Sequence, residues 1–132
     1  MEKQKKVIDA SVILKWFVDE AGKEEALRLR EEYLSGKISI VIPDLLFLEV
    51  INALRYKNKK EKGLNDVITA LNEYQFHTER LSEFLLKSAI SISLEYNLTL
   101  YDAVYAALAQ LHGCQLITAD KELGKLPNAV VI

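Results

Sequence analysis

The chain has 132 residues, half of them hydrophobic and 27% charged, with a formal net charge of −2 at pH 7. That describes one domain, residues 1–132, with material for a sizeable core, and it excludes a chain whose overall charge attracts nucleic acid; RNA or DNA binding would need a local basic patch. The only cysteine, Cys114, excludes an intrachain disulfide and a thiolate metal cage, and is expected as a buried, inert thiol.

In chain order, the start M-E-K-Q-K-K carries no secretory pattern, and no apolar run approaches the roughly 20 residues that span a bilayer. A cytoplasmic protein without a membrane partner is expected. Lys5 to Ile8 reads as a short buried strand, followed by a helix that starts near Asp9 to Ser11 and carries Val12, Ile13, Trp16 and Phe17. Lys23 to Leu34 is an amphipathic helix ended by Ser35-Gly36, and the β-branched run Ile38 to Ile42 is a strand closed by Pro43-Asp44. A strong helix runs from Leu45 past Arg55, Gly63 is expected to break it, and Leu64 to Tyr74 forms another. Phe76 to Thr78 is a short strand, Leu81 to Tyr96 and Asp102 to His112 are helices, Gln115 to Thr118 is a strand, and A-V-V-I closes the chain as the last. Strands alternating with helices, without hairpin signals, predict a three-layer α/β/α fold with a central, mainly parallel sheet. Ligands of such sheets bind beyond the strand C-termini, where strand order reverses.

Four acids stand next to apolar structure. Asp9 follows the first strand directly, where it is either a helix N-cap or a functional group. Glu49 lies inside L-L-F-L-E-V-I-N-A-L, stacked by helical spacing on Leu45, Leu46 and Ala53; a carboxylate there is unfavourable unless paired, protonated or bound to a metal, although nearby Asn52 also fits a solvent-facing strip. Asp102 follows Thr99 by three residues, as in a capping box, and opens an almost wholly apolar helix. Asp120 ends L-I-T-A-D just past a strand, where an N-cap for the K-E-L turn is the plainer explanation. Gathered at one place, four carboxylates would repel one another and raise their pKa values; a divalent cation removes that penalty, and hard oxygen donors suit Mg²⁺ or Mn²⁺.

The ordered set V-I-D-A-S, L-E-V-I-N-A-L, L-Y-D-A-V-Y-A-A-L-A and L-I-T-A-D-K-E-L resembles the PIN domain family over essentially the whole chain, and within it the VapC-type ribonuclease toxins of toxin–antitoxin pairs. The resemblance places the family's acidic site on Asp9, Glu49, Asp102 and Asp120, with Ser11 and Thr118 as supporting hydroxyls. It implies an RNA substrate, a VapB-type antitoxin and a homodimer. The matching chemistry is phosphodiester hydrolysis, in which one or two ions lower the pKa of a water and stabilise phosphoryl charge. Asp9, Asp102 and Asp120 are expected as direct or water-mediated ligands; Glu49 is a ligand or the group orienting the attacking water. His77 and His112 are far from every acid motif in sequence and read as structural or surface residues. The densest basic stretch, Arg55 to Lys62, is expected to continue the helix of Glu49, so that Arg55 and Lys57 reach RNA phosphates, with Lys15 and Lys121 as further contacts; a solvated helix end explains the stretch equally well. A haloacid-dehalogenase-like phosphatase wants a second Asp where Ser11 stands, and a receiver domain wants a central Asp that is missing. The remaining alternative is a PIN-like binding module without turnover.

Overall fold

The computed structural model describes residues 3–57 and 59–132. The elements are β1 (Gln4–Ile8), α1 (Ala10–Leu14), α2 (Lys23–Leu34), β2 (Ile38–Pro43), α3 (Leu45–Tyr56), α4 (Glu61–Glu73), β3 (His77–Glu79), α5 (Glu83–Tyr96), α6 (Leu100–His112), β4 (Gln115–Thr118) and β5 (Ala129–Val131), with a 3-10 turn at Leu123–Lys125. The five strands form one sheet in the order β3-β2-β1-β4-β5, and every pairing is parallel.

The residues explain this architecture. Val7 and Ile8 of β1 and Ile40, Val41 and Ile42 of β2 are consecutive yet all buried, so the central strands need cover on both faces. The right hand that parallel crossovers almost always take puts the helices between β1 and β3 on one face and α5 and α6 on the other. Seven successive residues of α6, Ala103 to Ala109, are buried. Four of them are alanines, which lets the helix lie close on β1, β2 and β4. On the chain leaving α1, the Trp16 indole Nε1 donates to the Ala26 carbonyl at 2.8 Å and so ties that segment to α2.

Two details differ from expectation. The strand expected at Phe76 begins one residue later, because Phe76 turns inward against Trp16, Tyr33 and Tyr74. Gly63 does not break a helix; it lies inside α4, where a glycine costs only about 1 kcal/mol. The break falls earlier: Lys57 leaves helical geometry and Lys60 is extended, so the Arg55–Lys62 stretch does not continue α3. Lys57, Lys59 and Lys60 crowd like charges there, while α4 gains its own buried face from Val67 and Leu71. Asn58, within that stretch, lies outside the described residues.

Strand order reverses between β1 and β4: β2 and β3 extend to one side of β1, and β4 and β5 to the other. The crevice beyond the C-termini of β1 and β4 is therefore where this topology places a ligand. The register Ile8↔Ile117 sets Asp9 beside Thr118, and the Asp9 N–H donates to the Ile117 carbonyl at 3.2 Å.

Candidate active site

At that crevice Asp9, Glu49, Asp102 and Asp120 line one cavity of about 290 Å³, together with Ser11, Tyr105, Ala10, Leu14 and Ala53. The acids come from the ends of β1 and β4 and from the N-terminal halves of α3 and α6. Asp9 is only 4% exposed. Its Oδ1 accepts from Ser11 Oγ at 2.6 Å and from the Val12 N–H at 3.3 Å, and its Oδ2 accepts from Thr118 Oγ1 at 2.5 Å. Each hydroxyl also accepts: Ser11 Oγ from the Ala119 N–H at 2.9 Å, and Thr118 Oγ1 from the Asp120 N–H at 3.0 Å. The two hydroxyls thus lock the end of β1 to the end of β4 and fix Asp9 relative to Asp120.

The capping interactions are present at the same residues. Asp9 is the N-cap of α1, Thr99 Oγ1 accepts from the Asp102 N–H at 3.1 Å, and Asp120 Oδ1 accepts from the Glu122 N–H at 2.9 Å. Capping and a functional role are not exclusive, since a carboxylate has about four acceptor positions.

The electrostatics set the acids against one another. Burial pushes the Asp9 carboxyl above its usual range, opposed by the bonds from Ser11, Thr118 and Val12 and reinforced by Asp102. Burial also raises Glu49, with Asp102 and Asp9 adding to it against the Tyr105 bond, and raises Asp102, with Asp120 adding to it. An all-oxygen set of this charge fits a hard divalent cation. Among the described residues, no three of these acids bring carboxylate oxygens within 4.8 Å of one another. The arrangement is open rather than a closed protein cage, as suits Mg²⁺, which keeps several waters and binds through one or two carboxylates.

Sequence reasoning missed Tyr105. Its hydroxyl donates to Glu49 Oε1 at 2.5 Å, and its pKa is raised by burial and then by the charge of Glu49. The signal was its spacing: three residues beyond Asp102, it shares that residue's helix face. Tyr105→Phe keeps the buried ring and deletes the donor. A hydrogen bond to a charged group is worth about 1.5–3 kcal/mol, so the cleavage proposed below falls roughly ten- to hundredfold at 1.36 kcal/mol per decade. Single-turnover rates of wild type and variant, with circular dichroism as the control for folding, would check it.

The basic candidates stand outside the cavity. Lys15 is buried, and its Nζ is committed to Glu20 Oε1 at 3.1 Å and the Ala21 carbonyl at 2.6 Å. It pins the turn before α2 and has no charge left for a phosphate. Lys57 is exposed and lies 3.7 Å from Glu20, Arg55 is exposed with its guanidinium over the Tyr56 ring, and Lys121 is exposed beside Asp120. Cys114 is half-buried rather than fully enclosed, and burial pushes its thiol pKa up, away from nucleophilic use.

The family model described as PIN domain matches residues 6–129. The chain belongs to the PIN domain family. It is 32% identical over 133 residues to Ribonuclease VapC3 of Pyrobaculum aerophilum, covering 96% of this chain and 98% of that one. Its fold resembles a chain of a toxin–antitoxin complex from Klebsiella pneumoniae, with a TM-score of 0.70 at 21% identity over 96% of both chains. It also resembles VapC20 of Mycobacterium tuberculosis, described as a Sarcin-Ricin loop cleaving toxin, with a TM-score of 0.72 at 14% identity over 90% of this chain and 92% of that one. The PIN fold is thus the fold of this chain, with a five-stranded parallel sheet and six helices among the described residues.

Proposed function

We propose that this PIN domain protein is a VapC-type endoribonuclease, the toxin of a toxin–antitoxin pair, cutting RNA phosphodiester bonds with Mg²⁺ or Mn²⁺. One observation carries the proposal: four carboxylates from four chain segments line a single cavity at the point where strand order reverses. The relationship to Ribonuclease VapC3 supports the choice of RNA as substrate.

Asp9, Asp102 and Asp120 are the proposed ligands, one or two of them direct and the rest through water, in keeping with their open spacing. When bound, the cation lowers the pKa of a water and offsets charge on the phosphoryl oxygens. Glu49, with Oε1 committed to Tyr105, has Oε2 left for the ion or for orienting the attacking water. Water would attack phosphorus, forming one P–O bond as the bridging P–O bond breaks; its proton would pass to Glu49 or to solvent, and the leaving oxygen would take a proton from solvent. No side-chain nucleophile is required, and neither His77 nor His112 lines the cavity. Ser11 and Thr118 hold Asp9 in place and favour its ionised form against the effect of burial. Arg55, Lys57 and Lys121 are the proposed phosphate contacts; Lys15 is not.

Among the described residues no helix is long and apolar enough to cross a membrane. Leu48 and Tyr101 are 69% and 62% exposed, and with Leu45 and Asn52 they line a depression that shares Glu49 with the acid cavity. An antitoxin of the VapB type seated on these apolar groups would cover the acids. Exposed Phe84, Ile90 and Leu94 on α5 offer a second apolar surface, suited to a homodimer.

A labelled structured RNA and a DNA of the same sequence, incubated with the protein and Mg²⁺, test the substrate class. Discrete cuts in the RNA with the DNA left intact are expected. Equal cutting of both would overturn the ribonuclease assignment.

A further inference from the structure

Outside the acid cavity, three other side chains converge at the edge of the sheet. His77 and Glu79 lie two apart on β3, the outermost strand, so they point to the same face. His112 is the last residue of α6, and Gly113 ends the helix directly after it in the left-handed conformation, at φ +60°. Glu79 is held by the ladder: it stands opposite Pro43, and its carbonyl accepts from the Asp44 N–H at 2.9 Å. Both imidazoles aim Nε2 at one oxygen, Glu79 Oε1, His77 from 3.2 Å and His112 from 2.5 Å. The rings stand edge to face, with centroids 5.5 Å apart and planes at 79°. The ligand atoms of all three residues lie within 4.8 Å of one another, and among the described residues no other three His, Cys, Asp or Glu side chains do so.

Two imidazole nitrogens and one carboxylate oxygen form a donor set different from that of the acid cavity. Imidazole suits zinc and its first-row neighbours, whereas Mg²⁺ takes oxygen. Three protein ligands leave a fourth tetrahedral position for water. With bonds of about 2.0–2.1 Å, tetrahedral ligand atoms sit ~3.3 Å apart. The His77 separation already has that value. The His112 separation must open by about 0.8 Å, a change that a turn of the partly exposed Glu79 carboxylate supplies. Each imidazole would bind through Nε2 with its proton on Nδ1.

We propose that His77, Glu79 and His112 form a zinc-class transition-metal site, separate from the acidic centre, that staples the outer strand β3 to the C-terminal end of α6. None of the three residues lines the acid cavity. Cys114, two residues beyond His112, is not among the converging ligand atoms.

The test is calorimetric titration of the untagged, full-length protein with Zn²⁺ in saturating Mg²⁺, which occupies hard-oxygen sites. One Zn²⁺ per chain is expected. His77→Gln, at an exposed position, and His112→Gln should each weaken binding at least tenfold, since even an outer-shell partner is worth about 10–100-fold. Asp102→Asn should leave it unchanged. Co²⁺ in place of Zn²⁺ should give a visible absorption band that His77→Gln removes, a signature no purely structural role produces. Zinc binding that is absent, that survives His77→Gln, or that disappears in Asp102→Asn would overturn the proposal and leave the triad as two imidazoles hydrogen-bonded to a carboxylate.

Discussion

Asp9→Asn is expected to lower RNA cleavage by at least about a thousandfold while the protein stays folded. The side chain is nearly isosteric, and the Asn carbonyl can keep the Val12 N–H that Asp9 accepts as N-cap. Its amide nitrogen then stands in for Oδ2 and meets Thr118 Oγ1, whose hydroxyl can turn to accept. The charge, however, is gone from the most enclosed of the four acids. A catalytic cation stabilises the transition state by several kcal/mol, and at 1.36 kcal/mol per decade its displacement removes about three decades of rate. Cleavage rates of matched wild-type and variant preparations, with circular dichroism as the control for folding, decide the point. A variant within tenfold of wild type would mean that Asp9 is only a cap.

Asp102→Asn should move activity and stability in opposite directions. Burial, and then the charge of Asp120, raise the Asp102 carboxyl above its unfolded value of 3.8. The folded state therefore binds this proton more readily than the unfolded state. Stability from this group falls as pH rises from near 3.8 through the raised folded value, and the penalty is fully present above that value. The same sign holds for Asp9 and Glu49. In chelator at pH 7 the variant should melt above wild type, with the difference narrowing toward acid. Mg²⁺ should reverse the order. At a hundred times its Kd, a ligand that binds only the folded state adds about 2.7 kcal/mol, or roughly 10 °C for a chain of this size. The variant should lose most of that gain along with its cleavage activity. Melting curves across pH, with and without Mg²⁺, measure both effects; a variant less stable than wild type in chelator would refute the repulsion that the site geometry implies.

The sheet was legible because its signals are local. The β-branched run Ile38 to Ile42 and the apolar ends of β1 and β4 are strands by composition alone, and alternation with helices implies parallel pairing. The acids were legible because a carboxylate beside buried apolar residues is anomalous wherever it occurs. What the sequence hid depends on contacts between distant segments. Tyr105 looked like one more apolar residue of α6 until Glu49 was found at its hydroxyl. Lys15 looked free until the turn before α2 folded Glu20 and Ala21 back onto it. His77 and His112 are 35 positions apart, and only the crossover from β3 through α5 and α6 brings them to one carboxylate. Gly63 misled for a different reason: helix propensity is a weak prior, and the buried face of α4 outweighs one glycine.

The proposed hydrolysis of RNA by a divalent cation held among these four acids calls first for cleavage of one labelled structured RNA in Mg²⁺, in Mn²⁺ and in excess EDTA. Cutting in both metals, none in EDTA, and recovery when Mg²⁺ is returned in excess of the chelator are expected. Cutting that continues undiminished in EDTA would contradict the proposal.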